Sequence, residues 1–263
     1  MDISTRTPHM NLPELVKRLD TELRTDAYAD IDGSPNGLQV GRSDPSIESV
    51  ALAVDAAEST IQQAIDQDVD LLMTHHGLWW EGIERVTGPT HTRLHALLSN
   101  DIGLYVSHLP LDGHQDIGNA AVIACDLGLT QREPFGALNG EFVGQAGVLP
   151  EPISRTDFVT LVSDILPGEP PIHVLPHGPE NLQHVGIITG SGTDWIAEAA
   201  SAELDVLLTG EGKHAAYHAS KEAGVNLVLG GHYATETGGL REIATLLEEW
   251  GIVTTFIDEP TGL

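Results

Sequence analysis

The sequence predicts an α/β protein made of two similar three-layer α/β/α units that arose by internal duplication. Three observations support this fold class. Strand-like and helix-like segments alternate along most of the chain, a pattern typical of parallel sheets covered by helices. A pattern in the first half recurs in the second, and polar clusters follow the predicted strands in both halves.

The first unit is predicted to span residues 1–129. It opens with an amphipathic helix at 11–24, "NLPELVKRLDTELR", which carries Pro13 near its start. Short apolar runs then alternate with helical patterns. The predicted order is a strand at 50–57, a helix at 59–68, a strand at 69–76, a helix at 93–101, a strand at 102–112 that runs into a loop, and a helix at 118–129.

The second unit is predicted to span residues 130–263, and its first part, 130–184, joins the halves. This connecting segment contains a strand-like run, "FVGQAGVL", a helical pattern, "SRTDFVTLVSDIL", and many Pro and Gly residues. The order predicted after it is strand, helix and strand over 185–214, a helix at 213–224 and a strand that begins at 225 and runs on to 236.

An internal repeat relates the two units. The spacing of 19 positions between Asp55 and Thr74 recurs between Gly190 and Thr209, and this frame aligns "DLLMT" with "DVLLT". Further along, "IGLYVSHLPLD" (102–112) matches "VNLVLGGHYATE" (225–236), and in both a histidine precedes a carboxylate by four positions. Two matches in the same order favour duplicated α/β units.

Composition narrows the class of protein. The 263 residues are 41% hydrophobic, no run approaches the roughly 18 apolar residues of a membrane span, and the N-terminus lacks the pattern of a signal peptide. We therefore expect a cytoplasmic protein without membrane association. The single cysteine, Cys125, excludes an internal disulfide and a thiolate-rich zinc site, so metal ligands would be His, Asp and Glu.

The charge is strongly negative, with 12 Lys and Arg against 39 Asp and Glu and a formal net charge of −27. Self-repulsion at this density destabilises a compact chain in dilute buffer, and concentrated salt screens it. The interpretation we prefer is a halophilic cytoplasm; an acidic surface matched to a basic partner is the alternative. Binding to nucleic acid is disfavoured, because it needs a basic surface.

Five residues that follow predicted strands are candidate metal ligands: His75, His76, Asp112, His232 and Glu236. In parallel sheets, ligands bind at the carboxyl ends of strands. Adjacent histidines on an extended chain point to opposite sides, so each can hold a different ion of a two-metal centre. Imidazole and carboxylate ligands without sulfur suit borderline divalent metals, namely Zn, Fe, Mn, Co or Ni, and two such ions are expected. Glu236 lies one helical turn after His232, and its carboxylate can bridge the two metal ions.

Three further residues are candidates for proton transfer or for supporting the ligands: His108, Glu211 and His214. His108 occupies the repeat position of His232, so it is either a supporting group or a spare ligand. Glu211 and His214 follow another predicted strand, although Glu211 also fits as a favourable charge at a helix N-terminus. Trp79 and Trp80 can either stack on a planar base or pack at a subunit interface.

Several motifs together resemble the Nif-three-like family, whose members are dinuclear-metal proteins, some of them called GTP cyclohydrolase I type 2 homologues. The resemblance covers nearly the whole chain in order. One departure is that Gly33 and Ser34 precede the proline where relatives often carry Trp and Asp-Asn. The matching motifs are "GSPNGLQVG" (33–41), "THHGLWW" (74–80), "SHLPLDGHQDIGN" (107–119), "TGEGKH" (209–214) and "GHYATETGGL" (231–240).

The resemblance implies two α/β domains of similar topology with the metal site in the cleft between them, and a ring-shaped homohexamer. It implies metal ligation by the five residues named above, with Glu236 as the bridge. It also implies a metal-dependent hydrolase of a purine nucleotide or related small molecule, possibly opening the imidazole ring of GTP at C8. A phosphoesterase with the same two-metal chemistry is a variant of this hypothesis.

A second hypothesis from another class stays open: a non-catalytic protein that binds or delivers metal, or a scaffold that binds a partner. The candidate residues support the activation of water by metal ions more strongly than they support GTP as the substrate. The sequence has no phosphate loop of the form GxxxxGK[ST], and basic residues are scarce near the predicted strand ends. Lys213 and Arg241 are the cations near the predicted strand ends that we nominate for binding a phosphate group.

Overall fold

A computed structural model describes residues 10–82, 85–168 and 170–263. The chain forms two compact units, and each combines a mixed sheet with helices, which confirms the predicted α/β class. Unit 1 comprises the chain up to Pro110 together with Leu240–Glu259. Unit 2 comprises Leu111–Gly239 together with Pro260–Leu263. Within the described ranges, every helix is too short or too polar to cross a lipid bilayer.

The first part of unit 1 alternates strands and helices, with a short 3₁₀ turn at Thr25–Tyr28. Its elements are β1 (Met10–Asn11), α1 (Leu12–Glu22), β2 (Gly37–Val40), β3 (Ser46–Ile47), β4 (Ser49–Asp55), α2 (Glu58–Asp66), β5 (Leu71–His76), α3 (Gly88–Ser99) and β6 (Gly103–Val106).

The chain then passes into unit 2, which it leaves again within a long helix. The elements there are α4 (Leu109–Asp112), α5 (Asn119–Asp126), β7 (Thr130–Leu138), β8 (Glu141–Ser154), α6 (Arg155–Ile165), β9 (His173–Leu175), β10 (Asn181–Ile187), α7 (Ile196–Ser201), β11 (Val206–Thr209), α8 (Ala216–Ala223), β12 (Asn226–Leu229) and α9 (His232–Thr235). Helix α10 (Gly238–Glu249) and strand β13 (Val253–Phe256) complete the chain.

The sheet of unit 1 has the order β13-β4-β5-β6-β2. The first four strands are parallel, and β2 pairs antiparallel with β6. Every residue of β6 is buried, as expected for a parallel strand whose two faces are both covered. Because β4, β5 and β6 are parallel, their carboxyl ends lie at one edge of the sheet, where Asp55, His76 and His108 occur.

The sheet of unit 2 has the order β7-β8-β10-β11-β12-β9. Its centre, β10-β11-β12, is parallel, whereas the outer pairings are antiparallel. Helices α5 and α6 cover it with a core that includes the fully buried Phe158 and Val162. The carboxyl ends of the three central strands lead into Gly190, Glu211 and His232, so this edge also carries polar groups.

The two sheets share an order of four strands. In unit 1 the order β4-β5-β6-β2 places three parallel strands beside an antiparallel strand that precedes them in the chain. In unit 2 the order β10-β11-β12-β9 repeats this arrangement. The matching topology is compatible with the predicted internal duplication.

The boundaries of the units differ from the predicted division at 129 and 130. Helix α5 belongs to unit 2, because its residues Ala120, Ile123 and Ala124 pack into the core of that unit. The last strand, β13, returns to unit 1, where Val253–Phe256 pair with Ser49–Leu52 of β4. Packing and strand pairing over long sequence separations therefore set the boundaries.

The predicted strands at 102–112 and 225–236 are shorter than expected. Strand β6 ends at Val106 and β12 ends at Leu229, and in each case a four-residue helix follows. In the first case Pro110 occupies the start of α4, where its missing N–H costs nothing. Asp112 therefore ends the first short helix and His232 begins the second, while His108 and Glu236 each lie one residue outside these helices.

Candidate metal centre

The first candidate ligand, His75, lies near the end of β5 and has no exposed surface. Its Nδ1 lies 2.9 Å from the carbonyl oxygen of Ser107, which follows the neighbouring strand β6. A carbonyl oxygen can only accept a hydrogen bond, so Nδ1 carries the hydrogen. With the hydrogen on Nδ1, the neutral form of the ring has its lone pair on Nε2, and this form binds a metal.

His76 is held by a carboxylate from the adjacent strand. Asp55 ends β4 and is the register partner of His76 in the parallel pairing. Its Oδ1 lies 2.9 Å from Nδ1 of His76. A carboxylate in this position fixes the orientation of a metal-binding imidazole and raises its basicity. Asp55 was considered in the sequence only as part of the repeat, so its role beside the site was missed.

His108 is held in the same way by Asp32, whose side chain is almost fully buried. The Oδ1 of Asp32 lies 2.8 Å from Nδ1 of His108. The carboxylate also accepts hydrogen bonds from the N–H groups of Ser34 and Leu109 and from the amide of Asn36. Burial raises the pKa of Asp32, but these bonds and the contact with His108 outweigh it and hold the pKa below its usual range.

The three histidines form a compact group within unit 1. One ring nitrogen from each of His75, His76 and His108 lies within 4.8 Å of the others, and the ring centroids are 4.8–5.8 Å apart. All three Nδ1 atoms are engaged by an oxygen, so the three Nε2 atoms can face a common ion. The group could hold a divalent metal. The structure thus places His108 among the candidate ligands, where the sequence left its role open.

The two tryptophans that follow β5 have different environments. Trp79 packs against the core of unit 1. Trp80 is 45% exposed, and its ring lies 4.9 Å from that of His108 in an edge-to-face arrangement and 5.8 Å from that of His76. Trp80 therefore forms an aromatic wall beside the histidine group and keeps one side accessible.

In unit 2, Asp112 ends helix α4 and is 6% exposed. Its Oδ1 accepts hydrogen bonds from Nδ2 of Asn119 and from Oγ1 of Thr189, both at 2.9 Å. Two neutral donors on a single oxygen keep the carboxylate in one orientation. This is how the carboxylate ligands of metal sites are supported. Asn119 and Thr189 were not identified from the sequence.

The second cluster of unit 2 joins His232, Glu236 and Glu211. Nε2 of His232 lies 3.2 Å from Oε1 of Glu236, one helical turn later, and its Nδ1 lies 3.2 Å from Oε1 of Glu211. Glu236 is buried, whereas the side chain of Glu211 is half exposed and binds the hydroxyl of Ser191 at 2.7 Å. The predicted spacing of His232 and Glu236 thus brings them together on one turn.

These contacts set the protonation of the cluster. Burial lowers the pKa of His232, but the two neighbouring glutamates raise it more, and the pKa reaches about 9. The hydrogen bond from Ser191 is the largest influence on Glu211 and, with His232, lowers the pKa of that carboxyl. At neutral pH His232 in the metal-free cluster is therefore an imidazolium and Glu211 a carboxylate. A divalent cation would take the place of that proton.

The metal-free protein is expected to lose stability as the pH rises from 6.5 to about 9. The pKa of His232 is higher in the folded protein than its ordinary value of 6.5, so its stabilising contribution is complete below 6.5 and disappears as the pH passes about 9. Urea unfolding with a chelator, at constant salt, would measure this. The loss should be much smaller in His232→Gln, and parallel pH profiles for the two proteins would contradict the assignment.

Close backbone packing positions the cluster of unit 2. Gly190 has a φ of +58°, and a Cβ there would collide with Oε1 of Glu236 and lie 3.1 Å from Nε2 of His232. Its carbonyl accepts hydrogen bonds from the N–H groups of Gly210 and Glu211, both at 2.9 Å. Only glycine combines this conformation with this proximity.

The other candidates from the sequence lie apart from these clusters. His214 is exposed in the turn before α8, and within the described ranges it belongs to no group with metal-binding spacing. Lys213 pairs with the exposed Asp194 at 3.0 Å. Arg241 lies over the ring of Phe256 at 3.9 Å. The expectation that these two cations would serve a phosphate gains no support from their contacts.

The fold and these clusters define a class: an α/β protein whose strand ends carry buried histidines and carboxylates of the kind that hold divalent metals. Comparison with known proteins is more specific. The family model Duf34/NIF3 (NGG1p interacting factor 3) matches residues 10–261. The chain belongs to this family, which confirms the resemblance seen in the sequence motifs.

Relatives cover almost the whole chain. A protein of Halobacterium salinarum called GTP cyclohydrolase 1 type 2 homolog is 48% identical over 255 residues, which are 97% of this chain and all of the relative. A Deinococcus radiodurans protein of the same name is 43% identical over 253 residues, or 95% of this chain and 94% of the relative.

Solved structures share the fold. A Thermus thermophilus protein has a TM-score of 0.86 and 34% identity, over 97% of this chain and 100% of its own. Reduced HcgD from Methanocaldococcus jannaschii has a TM-score of 0.82 and 26% identity with the same coverage.

Proposed function

We propose that the protein binds two divalent metal ions and uses them to hydrolyse a purine nucleotide or a related small molecule. The metal ligands in this proposal are His75, His76, Asp112, His232 and Glu236. The single observation that carries it is the histidine group of unit 1, in which an oxygen holds Nδ1 of every ring. A histidine that only fills space does not need this arrangement.

The donor set fits borderline divalent ions. It combines imidazole nitrogens and carboxylate oxygens and contains no thiolate, which suits Zn, Fe, Mn, Co or Ni. Ions held there would lower the pKa of a water molecule toward 7 and so supply a nucleophile at neutral pH. His108 lies within the same group, so in this proposal it is a further ligand or orients a ligand of the first ion.

The residues of the chain have separate tasks in the reaction. Because its pKa is lowered, Glu211 is a carboxylate at neutral pH, able to accept a proton but not to donate one at the outset. Its half-exposed position allows it to exchange that proton with solvent. Asp32 and Asp55 keep two imidazoles oriented, and neither contributes a ligand itself.

Recognition of the substrate in this proposal rests on its planar ring more than on phosphates. The chain has a net charge of −27, and the cations nominated for phosphate binding are engaged elsewhere. Trp80 offers an exposed aromatic face beside the histidines. Bases stack on such faces with little dependence on sequence. The name shared by the relatives, GTP cyclohydrolase 1 type 2 homolog, makes GTP the first nucleotide to test.

Trp80→Ala is expected to raise the KM for a purine nucleotide about 5- to 160-fold, because stacking on an aromatic side chain contributes roughly 1–3 kcal/mol. Metal content should stay unchanged, since Trp80 is not a ligand. Trp80→Phe should retain most of the affinity, and the half-buried Trp195 provides a matched control as Trp195→Ala. Equal KM values for Trp80→Ala and the wild type would place the base elsewhere.

The proposal is tested by metal analysis of protein purified in high salt without chelators, followed by a nucleotide screen that measures released formate. Metal-dependent turnover that disappears in Glu236→Gln supports the hydrolase. Two bound ions that transfer to an acceptor without any turnover support instead a metal-delivery protein. The family description, which names an interaction with NGG1p, favours a partner-binding scaffold as the second candidate. Capture of a defined protein partner, with no bound metal, would support that alternative.

We further propose that the protein works at high salt, because of its net charge of −27 and its similarity to a Halobacterium salinarum protein. Raising KCl from about 0.1 M to about 1 M shortens the Debye length from about 10 Å to about 3 Å. The midpoint of thermal unfolding should rise by several degrees as repulsion is screened. A midpoint that falls with salt would contradict this proposal.

The family resemblance also supports a ring-shaped homohexamer, which we propose as the assembly. Sedimentation equilibrium in high salt should then give a mass close to six chains of 28.1 kDa each. A monomer or dimer that still turns over substrate would separate activity from this assembly.

A further inference from the structure

Helix α3 carries a pair of exposed histidines outside the candidate metal centre. His91 and His95 are four positions apart, so they lie on one face of the helix. Their ring centroids are 5.8 Å apart and their ring planes differ by only 8°. Both residues are exposed, so their positions are not explained by packing in the core.

The surroundings leave both rings accessible to a ligand. The hydroxyl of Ser99 lies 3.2 Å from Nδ1 of His95, and Ser99 is itself exposed and can turn toward solvent. In the histidine group of unit 1, by contrast, a carbonyl oxygen or a carboxylate holds each ring, and for His75 and His108 that partner is buried. The pair on α3 is therefore free to rotate about its side-chain bonds without disturbing the core.

The geometry of the helix suits chelation of one ion. Side chains one turn apart have Cβ atoms about 5–6 Å from each other, and metal–imidazole bonds are about 2.0–2.1 Å long. Because the rings already face each other, rotation of the two side chains is sufficient to bring one nitrogen from each onto a common ion. The same spacing of histidines on a helix holds zinc in metalloproteases.

We propose that His91 and His95 form a surface site for one divalent transition-metal ion, separate from the dinuclear centre. Two imidazoles bind Cu(II) more tightly than Ni(II) or Zn(II), and they exclude hard cations such as Mg²⁺ and Ca²⁺. Water fills the remaining positions of the ion. The net charge of −27 raises the concentration of cations at the surface and favours occupancy. This inference does not depend on the proposed hydrolase activity.

Titration of the full-length, metal-loaded protein with Cu(II), followed by electron paramagnetic resonance, tests the site. The wild type should give a Cu(II) signal with two coordinated imidazole nitrogens. His91→Ala and His95→Ala should each lose this signal, with a dissociation constant raised by about tenfold or more because one imidazole remains. His184→Ala removes an exposed histidine on strand β10, which is not part of a helical histidine pair. This variant should bind Cu(II) like the wild type.

Alanine favours helix, so the two variants should fold normally, and circular dichroism checks this. The two-imidazole signal should also persist in Glu236→Gln, which separates it from the dinuclear centre. Unchanged copper binding in both His91→Ala and His95→Ala would overturn the proposal. So would a loss of the two-imidazole signal in Glu236→Gln, because that would assign the copper to the other site.

Discussion

Glu236→Gln is expected to lose its bound divalent metal while keeping its fold. The amide is neutral and nearly isosteric, so it removes the charge of the proposed ligand, which is buried and lies 3.2 Å from His232. Loss of a partner outside the ligand shell already reduces metal affinity about 10–100-fold, and loss of the proposed bridging ligand should reduce it at least as much. Metal content after dialysis and chelator competition would measure the effect, together with hydrolysis of a purine nucleotide.

Glu242→Gln is the matched control for this experiment. Glu242 is exposed on α10, six positions further along, and the substitution changes the net charge by the same amount. It should leave metal content unchanged. The metal-free Glu236→Gln variant should keep its fold, because Glu211 still pairs with His232, although it loses the larger of the two contacts that raise the pKa of His232. Full metal content in Glu236→Gln would remove Glu236 from the ligand set.

Gly190→Ala is expected to lower the free energy of unfolding by about 2–5 kcal/mol and to weaken metal binding. The left-handed backbone at φ +58° costs alanine roughly 1–2 kcal/mol, and the collision of its Cβ with Glu236 adds an overpacking cost of about 1–3 kcal/mol. Relief of this collision displaces the carboxylate. Urea unfolding and metal analysis would measure the two consequences independently.

Gly128→Ala separates the cost of the left-handed backbone from the cost of the Cβ collision in Gly190→Ala. Gly128 has a φ of +67°, but a Cβ there meets no atom within 4 Å. Its replacement should therefore cost only the backbone term of roughly 1–2 kcal/mol and should leave the metal in place. If both variants were equally destabilised and equally loaded with metal, the close approach of Gly190 to Glu236 would have no consequence for the site.

Local patterns predicted the centre of each sheet well. The strand expected at 69–76 is Leu71–His76, and the helix expected at 59–68 is Glu58–Asp66. Buried parallel strands are continuous apolar runs, and the helices between them repeat every 3.6 residues, so both signals are contained in short windows. The internal repeat then allowed the second unit to be predicted, because the strand and helix pattern of the first unit recurs in its sequence.

Elements that depend on distant partners were not predicted. Strand β13 is short and partly exposed, and it becomes a strand by pairing with β4 near the other end of the chain. Helix α10 was also not predicted, although its amphipathic pattern is local and its first residues belong to the motif "GHYATETGGL". In the connecting segment the predicted strand-like run "FVGQAGVL" lies within β8, whereas its hairpin partner β7 was not predicted. No local window around β13 contains β4, the strand whose pairing stabilises it.

The same limit applies to the candidate site. The histidines and carboxylates at the strand ends could be identified by position, and their role as ligands stays a prediction. Asp32 could not be identified from the sequence, because it lies in a loop 76 residues before His108. Only folding brings its carboxylate to 2.8 Å from the ring of His108. Asp55 was recognisable in principle, since it ends β4 and is the register neighbour of His76. A polar residue at the end of the adjacent parallel strand is thus the signal to seek.

The return of β13 to β4 has a consequence for synthesis on the ribosome. About 200 residues separate the paired strands, so at 5–20 residues per second the outer edge of β4 waits about 10–40 s for its partner. Unit 2 lies within that interval except for Pro260–Leu263, so nearly all of it emerges while unit 1 still lacks a border strand. An uncovered parallel edge is a template for association between nascent chains. Truncation just before Val253 should therefore yield protein that aggregates, even though every candidate metal ligand is present.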